Sequence, residues 1–249
     1  MKFEIGVSAD CGRRRYMEDR FYFDANFRNQ GELFAGVYDG HGGDEVVKLV
    51  EKELHLRFLS FLDEGLDFAE SFILAYEKIS SETKTLDLPG GSCAANLIIS
   101  QGDVYLANAG DVRILAIGSE VDQLTVDHHP DNKIEEERIS HFDGVVMNNR
   151  IFSNDLVSIA ISRSIGDFEY YSLGLISTPY TATYILKPSD LALIVASDGI
   201  FETMTNEDVA TIVKNGDNTQ DISQEITKTA SQRGSRDNLT AMVIKLIKT

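Results

Sequence analysis

The sequence predicts an α+β fold: two stacked, mainly antiparallel β-sheets forming a central sandwich, flanked by helices on both sides. Three observations carry this. Short apolar runs joined by tight Gly-Asp connections fill the middle of the chain. Two amphipathic helical patterns follow the third run, and a further helix pair precedes the last one. The chain has 249 residues, 43% of them hydrophobic, which is enough to fill such a core. It has no Pro/Gly/Ser-rich linker, repeat or low-complexity tract, so a single domain over residues 1–249, without a regulatory extension, is expected.

The elements follow from residue spacing. "FEIGVSA" (Phe3 to Ala9) and "RFYFD" (Arg20 to Asp24) alternate with period two and read as strands. "ELFAGVYD" is continuously apolar before its final acid, as in a strand buried on both faces. From Asp44 the period changes: Val47, Val50, Leu54, Phe58 and Phe61 stand three or four apart, with Asp44 and Glu45 at the favourable N-terminal end of a helix. A second helix buries Ala69, Phe72, Ile73, Tyr76 and Ile79, and "LDLPGGS" ends it. The strands "CAANLIIS", "VYLANA" and "VRILAI" are separated by "QGD" and "GD", both read as hairpin-like connections, which makes Asp111 a hairpin acid. A short helix, "NKIEEERIS", reads as a solvated face with internal ion pairs. Strands are expected over Gly144 to Ile151, Leu156 to Ile161, "ATYILK" and "LALIVAS". Helices over Asn206 to Val213 and Thr219 to Ser231 lead to the final strand, "NLTAMVIKLI".

Charge narrows the function. The 23 basic and 40 acidic residues give a net charge of −17, which argues against nucleic acid as a partner, because phosphate backbones are held by surplus Lys and Arg. No apolar run approaches a membrane span, so no membrane partner is expected. The N-terminus carries a charge and no long apolar stretch, unlike a signal peptide. Cys11 and Cys93 are too few for a disulfide framework and read as reduced thiols. The expected location is the cytoplasm, with the nucleus as a second, and the expected state is a monomer.

Acids then recur where strands end. Asp39 closes "ELFAGVYD", Asp198 closes "LALIVASDG", Asp237 opens the last strand, and Glu18-Asp19 open the second. Taken singly, each has an ordinary reading: a turn, a helix N-cap or a surface acid. Together they form a pattern that those readings do not explain. Carboxylates gathered in one place resist ionisation unless a divalent cation offsets their charge. An all-oxygen donor set favours Mg²⁺ or Mn²⁺ over Zn²⁺. The adjacent His128 and His129 cannot both face one ion from a helix or strand and are not taken as ligands.

Eight motifs, "GRRRYMED", "DGHGG", "GSCAA", "LANAGDVR", "LTVDHHP", "AISRSIGD", "VASDGIFE" and "GSRDNLT", stand in the order found in the metal-dependent, 2C-type serine/threonine protein phosphatases. The chain resembles that family from about residue 5 to residue 247. The resemblance implies hydrolysis of phosphoserine and phosphothreonine in proteins, with hydroxide between two Mn²⁺ or Mg²⁺ ions attacking phosphorus directly. It implies that Asp39 bridges the ions, that the Gly40 carbonyl binds one, and that Asp198 and Asp237 complete the coordination of the second ion. By the same resemblance Glu18 and Asp19 would act mainly through metal-bound water, and Asp127 lies where some members hold a third, weakly bound ion. Arg14 maps onto the phosphate-binding arginine and His41 onto the general acid. A planar guanidinium suits phosphate oxygens, and a near-neutral proton donor suits an alkoxide leaving group.

The chain also departs from the family pattern. Arg13 and Phe201 stand where many members have Trp, and "DHHP" replaces Asp-His-Lys-Pro. The stretch between "SIGDF" and "LALIVAS", where the resemblance places the flap beside the site, is short. Arg163 and Asp167 in "SRSIGD" read equally as a bracing pair and as substrate contacts. Other phosphatase classes fail: six residues after Cys11 and Cys93 stand Met17 and Ile99 rather than Arg, and no Asp-x-Asp triplet is present. The alternative from another class is a catalytically silent, phosphatase-like domain that binds phosphoproteins. The acidic surface as a whole would favour basic phosphopeptides through long-range steering.

Overall fold

Burial on both faces accounts for the apolar run that ends at Asp39. In β3 (Glu32–His41), Leu33, Ala35 and Val37 point into the core between two sheets, whereas Phe34 and Tyr38 point the other way, onto two helices. The computed structural model describes residues 2–28, 31–152 and 158–247. One sheet contains β2 (Asp19–Phe27), β3, β4 (Gly91–Ser100), β5 (Asp103–Ala109) and β12 (Tyr180–Ile185), in the order β12-β5-β4-β3-β2; the short β11 (Ile165–Gly166) also pairs with β4. The other contains β1 (Lys2–Asp10), β14 (Leu239–Ile247), β13 (Ala192–Ala196), β6 (Arg113–Ile117) and β7 (Val121–Gln123), in that order. Every ladder in the two is antiparallel.

Helices cover the outer faces. On the first sheet lie α1 (Glu45–Asp63) and α2 (Phe68–Thr85), the latter opened by a capping box between Asp67 and Glu70. On the second lie α3 (Asp198–Phe201), α4 (Asn206–Asn215) and α5 (Thr219–Gln232), with α4 capped in the same way by Thr205 and Asp208. The α+β sandwich flanked by helices on both sides is thus the observed architecture. Among the described residues, no helix is long and apolar enough to cross a membrane.

Three local expectations are corrected. In α2 the buried face is Ser71, Phe72, Ala75, Tyr76, Ile79, Ser80 and Thr83, while Ile73 is only half-buried and Ala69 is exposed, because the helix begins only one residue before it. Gly144 to Ile151 is not one strand. It holds β8 (Val145–Met147) and the start of β9 (Arg150–Phe152), joined by Asn148 and Asn149, both at positive φ (50° and 57°), as a tight hairpin requires. With β10 (Ser158–Ile159) these form a small third sheet; the expected start of that strand, Leu156, lies outside the described residues.

The third correction bears on function. "QGD" is a hairpin between β4 and β5, but the "GD" after β5 is not, because β5 and β6 belong to different sheets. Gly110 and Asp111 therefore carry the chain across the sandwich, at the end where β3, β13 and β14 bring their acids.

Candidate metal and phosphate site

Antiparallel pairing collects the acids. Asp19, the first residue of β2, lies directly opposite Asp39 on β3. Asp198 follows β13, and Asp237 stands two residues before β14, which pairs with β13. These ends open into a cleft of about 640 Å³, bordered by Arg14, Asp39, His41, Asp111, Asp198 and Asp237. Glu18 and Gly40 also line it. Asp19 lies beneath the rim, 3% exposed, and its carboxylate accepts a hydrogen bond from the Ser197 hydroxyl (2.8 Å).

Carboxylate oxygens of Asp39, Asp111 and Asp198 lie within 4.8 Å of one another. Burial, reinforced by Asp198 and Asp19, holds the Asp39 carboxyl well above its ordinary range. Burial, then the charge of Asp111, pushes Asp198 up to about 7, and burial pushes Asp19 up to about 6. Oδ1 of Asp198 is buried without a hydrogen-bond partner among the described residues. An orphaned carboxylate oxygen beside two further carboxylates is an unfavourable arrangement for the protein alone. It is also the hard, all-oxygen donor set that a divalent cation takes, so the residues present fit a metal.

Asp237 borders the cleft but is turned partly away from this trio. Its Oδ2 accepts a 2.5 Å hydrogen bond from Arg14, and its Oδ1 accepts the backbone N–H of Asn238 (2.8 Å). The pairing with Asp237 raises the Arg14 pKa. Glu18 accepts a hydrogen bond from the Gly43 N–H (2.9 Å), and its carbonyl receives the Gly40 N–H (3.2 Å), fixing the "DGHGG" turn.

His41 stands at the last position of β3. Its Nε2 lies 2.7 Å from Oδ2 of Asp167, which also accepts a short hydrogen bond from Ser164 (2.5 Å). Asp167 is 2% exposed and sits at positive φ (54°). A side chain on Gly91 would collide with its carboxylate, so "GSCAA" begins with glycine where Asp167 crosses beneath β4. Burial pulls the His41 pKa down, but the hydrogen bond and charge of Asp167 outweigh it, and the net shift is upward.

Asp127 is not part of this site. Its carboxylate is held by Arg113, through Nε (2.9 Å) and a second guanidinium nitrogen (2.6 Å), and by Gln123 (3.1 Å). A carboxylate so engaged on a guanidinium fork has little left to offer an ion, and it does not border the cleft. Asp111 occupies the place beside Asp39 and Asp198 instead. The neighbouring "HH" supports it: the backbone N–H of His128 (3.0 Å) and its Nδ1 (3.1 Å) both reach the carbonyl of Gly110. Burial pushes the His128 pKa down to about 4, so a neutral ring holds the crossover that carries Asp111.

Asn238 was not singled out from the sequence, yet it joins the cleft's two loops. Its side-chain amide donates to the carbonyls of Cys11 (2.9 Å) and Tyr16 (3.0 Å), and its oxygen accepts from the Glu18 N–H (2.7 Å). The far wall is formed by Arg150, Ser158 to Ile161 and Tyr170, mostly ahead of the stretch in which the flap was expected. Arg163 and Asp167 do not pair: Arg163 and Arg138 both bind Glu135, which is 1% exposed and not part of a solvated face.

The family profile described as protein phosphatase 2C matches residues 3–239. The chain belongs to the protein phosphatase 2C family. Probable protein phosphatase 2C 2 of Arabidopsis thaliana is 32% identical over 97% of this chain and 67% of its own length. Probable protein phosphatase 2C 30 of the same plant is 29% identical, over 94% and 64%. The chain thus spans about two thirds of the length of these curated relatives. The crystal structure of serine-threonine phosphatase 2C from Toxoplasma gondii superposes with a TM-score of 0.85 at 23% identity, over 98% of this chain and 95% of that one, and shows the same fold. Protein phosphatases 2C are metal-dependent, and the Asp39, Asp111 and Asp198 cluster could bind metal in this member.

Proposed function

We propose that this protein phosphatase 2C hydrolyses phosphoserine and phosphothreonine in proteins, using Mn²⁺ or Mg²⁺ at its acid cluster. The observation that carries this is the convergence of Asp39, Asp111 and Asp198 beside a proton-bearing pair, His41 and Asp167, and a guanidinium, Arg14, in one cleft. The residues that would hold the ions are Asp39, Asp198, Asp237 and the Gly40 carbonyl, with Glu18 and Asp19 acting through water and Asp111 taking the part expected of Asp127. When bound, two such cations would supply acidified water as the nucleophile and positive charge against the phosphate dianion.

The chain's own residues do the rest. Arg14, 53% exposed at its side chain, can exchange Asp237 for phosphate oxygens, which present the same planar acceptor pair to its fork. His41 is held by Asp167 through Nε2, and among the described residues its Nδ1 has no protein partner. A cationic ring so held can deliver the Nδ1 proton to the departing serine or threonine oxygen. Such a donor accelerates loss of a poor leaving group by about 10²–10⁴-fold.

The test is phosphate release from a phosphothreonine peptide by metal-stripped protein titrated with Mn²⁺ and then Mg²⁺. Turnover should appear with the cation and fall by about 10²-fold or more in Asp198→Ala. Folded protein that binds cation and peptide but releases no phosphate would overturn the reading in favour of a silent phosphoprotein binder.

A further inference from the structure

The chain has twelve arginines and 40 acidic residues, and most of its arginines are neutralised. Arg14, Arg20, Arg28, Arg57, Arg113, Arg138, Arg163 and Arg233 each hold a carboxylate within 4.0 Å. Among the described residues the other four, Arg13, Arg15, Arg150 and Arg236, have no ion pair. All four belong to segments that form the mouth of the cleft: Arg13 and Arg15 flank Arg14, Arg236 precedes Asp237, and Arg150 stands on the far wall.

Three of these share one lip. The loop of residues 11–17 is joined to the loop of residues 235–238 by the Asn238 amide and by the Arg14–Asp237 pair. Gly12, at φ 58°, packs so closely on the Asp237 carbonyl that any side chain there would collide with it. Arg13, Arg15 and Arg236 are exposed on this joined surface. Nearby carboxylates are engaged by backbone N–H groups and a serine hydroxyl. Asp10 accepts the Gly12 N–H (2.9 Å), and Glu202 accepts the Ser235 hydroxyl (3.2 Å) and the Arg236 N–H (3.4 Å). Among the described residues these guanidiniums thus have no carboxylate partner, Arg15 only stacking over the Tyr16 ring (5.2 Å from its centroid), in a protein that has acids to spare.

We propose that Arg13, Arg15 and Arg236 form a binding lip for acidic residues that flank the phosphorylated residue, making acidic phosphopeptides the preferred substrates. This rests on the phosphatase reading above. The net charge of −17 opposes it at long range. At physiological salt, however, interactions beyond about 10 Å are largely screened, and the bound peptide meets the local cations. Rim charges of this kind act on encounter and on substrate affinity rather than on the chemical step. The preference expected from whole-chain steering is therefore reversed at the mouth.

The experiment compares two phosphothreonine peptides of equal length, one flanked by glutamates and the other by lysines, on the Mn²⁺-loaded wild type and on the triple variant Arg13→Gln, Arg15→Gln, Arg236→Gln. At about 0.15 M salt, where the long-range field of the net charge is screened, the acidic peptide should have about a tenfold higher kcat/KM, expressed in KM. The ratio should shrink with added salt and approach one in the triple variant, while turnover of p-nitrophenyl phosphate stays within about twofold. Equal kcat/KM for the two peptides, a basic preference, or a preference that survives in the triple variant would overturn the lip. If p-nitrophenyl phosphate is not turned over at all, the phosphatase reading fails instead, and fluorescence anisotropy with the same two peptides tests the lip separately by the same comparison.

Discussion

Nε2 of His41 and Oδ2 of Asp167 lie 2.7 Å apart although 126 residues separate them in sequence. Asp167 is fixed in turn by the Ser164 hydroxyl and by its own N–H on the Gly90 carbonyl (3.0 Å). The histidine ring therefore has one orientation imposed from below and, among the described residues, one nitrogen without a partner. The arrangement follows the logic of a proton donor set in place by a buried carboxylate, here without a nucleophilic side chain.

Replacing Asp167 by Asn should expose that role. Turnover of a phosphothreonine peptide should fall by about 10–100-fold, a part of what a general acid supplies. Turnover of p-nitrophenyl phosphate, whose leaving group needs little protonation, should fall far less. The basic limb of the pH–rate profile should also move to lower pH, because the upward shift of the His41 pKa depends on Asp167. Equal losses on both substrates would mean that Asp167 merely supports the fold.

The raised carboxyl groups make a stability prediction. Asp198 and Asp19 have folded-state values of about 7 and about 6 against an ordinary 3.8, so the folded state holds their protons more tightly than the unfolded chain. That contribution is fully present below about 4 and is lost as pH rises through 6 to 7. For metal-stripped protein, Asp198→Asn should thus raise Tm at pH 8 and change it little at pH 4. It should also shrink the Tm gain that Mn²⁺ gives the wild type. A lower Tm for Asp198→Asn at pH 8 would count against the electrostatic origin of the effect.

Glu135 behaves in the opposite sense. Burial works against its charge, but Arg163, Ser162 and Arg138 overcome this and bring it down to about 2. Its stabilising contribution is present above the ordinary 4.5 and disappears as pH falls toward 2. Glu135→Gln leaves two partly buried guanidiniums without their shared anion, and should cost about 3–5 kcal/mol by denaturant titration at pH 7. The cost should be much smaller at pH 3. A cost below about 1 kcal/mol at pH 7 would show that water compensates the two arginines.

How much of this could be read from the sequence depended on whether the signal was local. Asp39, Asp198 and Asp237 stand at the ends of strongly apolar runs, and a strand's end is visible in its own residues. Asp111 was hidden because "GD" between two apolar runs looks like a hairpin. Only the assignment of β5 and β6 to different sheets turns it into the cleft. Asp127 was expected in the site by resemblance, but Arg113, fourteen residues earlier, takes its carboxylate. Glu135 sits in a run of three glutamates that looks solvated, yet it meets Arg163 from a distant segment. Pairings of this kind follow from tertiary packing, which periodicity does not record.

Asp39, Asp111 and Asp198 should hold the cation, and Asp127, engaged by Arg113, should not. Calorimetric titration of Mn²⁺ into metal-stripped protein at pH 7.5 tests this directly, with Asp39→Asn, Asp111→Asn and Asp127→Asn run in parallel. The predicted result is saturable binding in the wild type and in Asp127→Asn, abolition in Asp39→Asn, and loss of at least part of the binding in Asp111→Asn. Binding left intact in Asp39→Asn, or removed by Asp127→Asn in protein that remains folded, would contradict it.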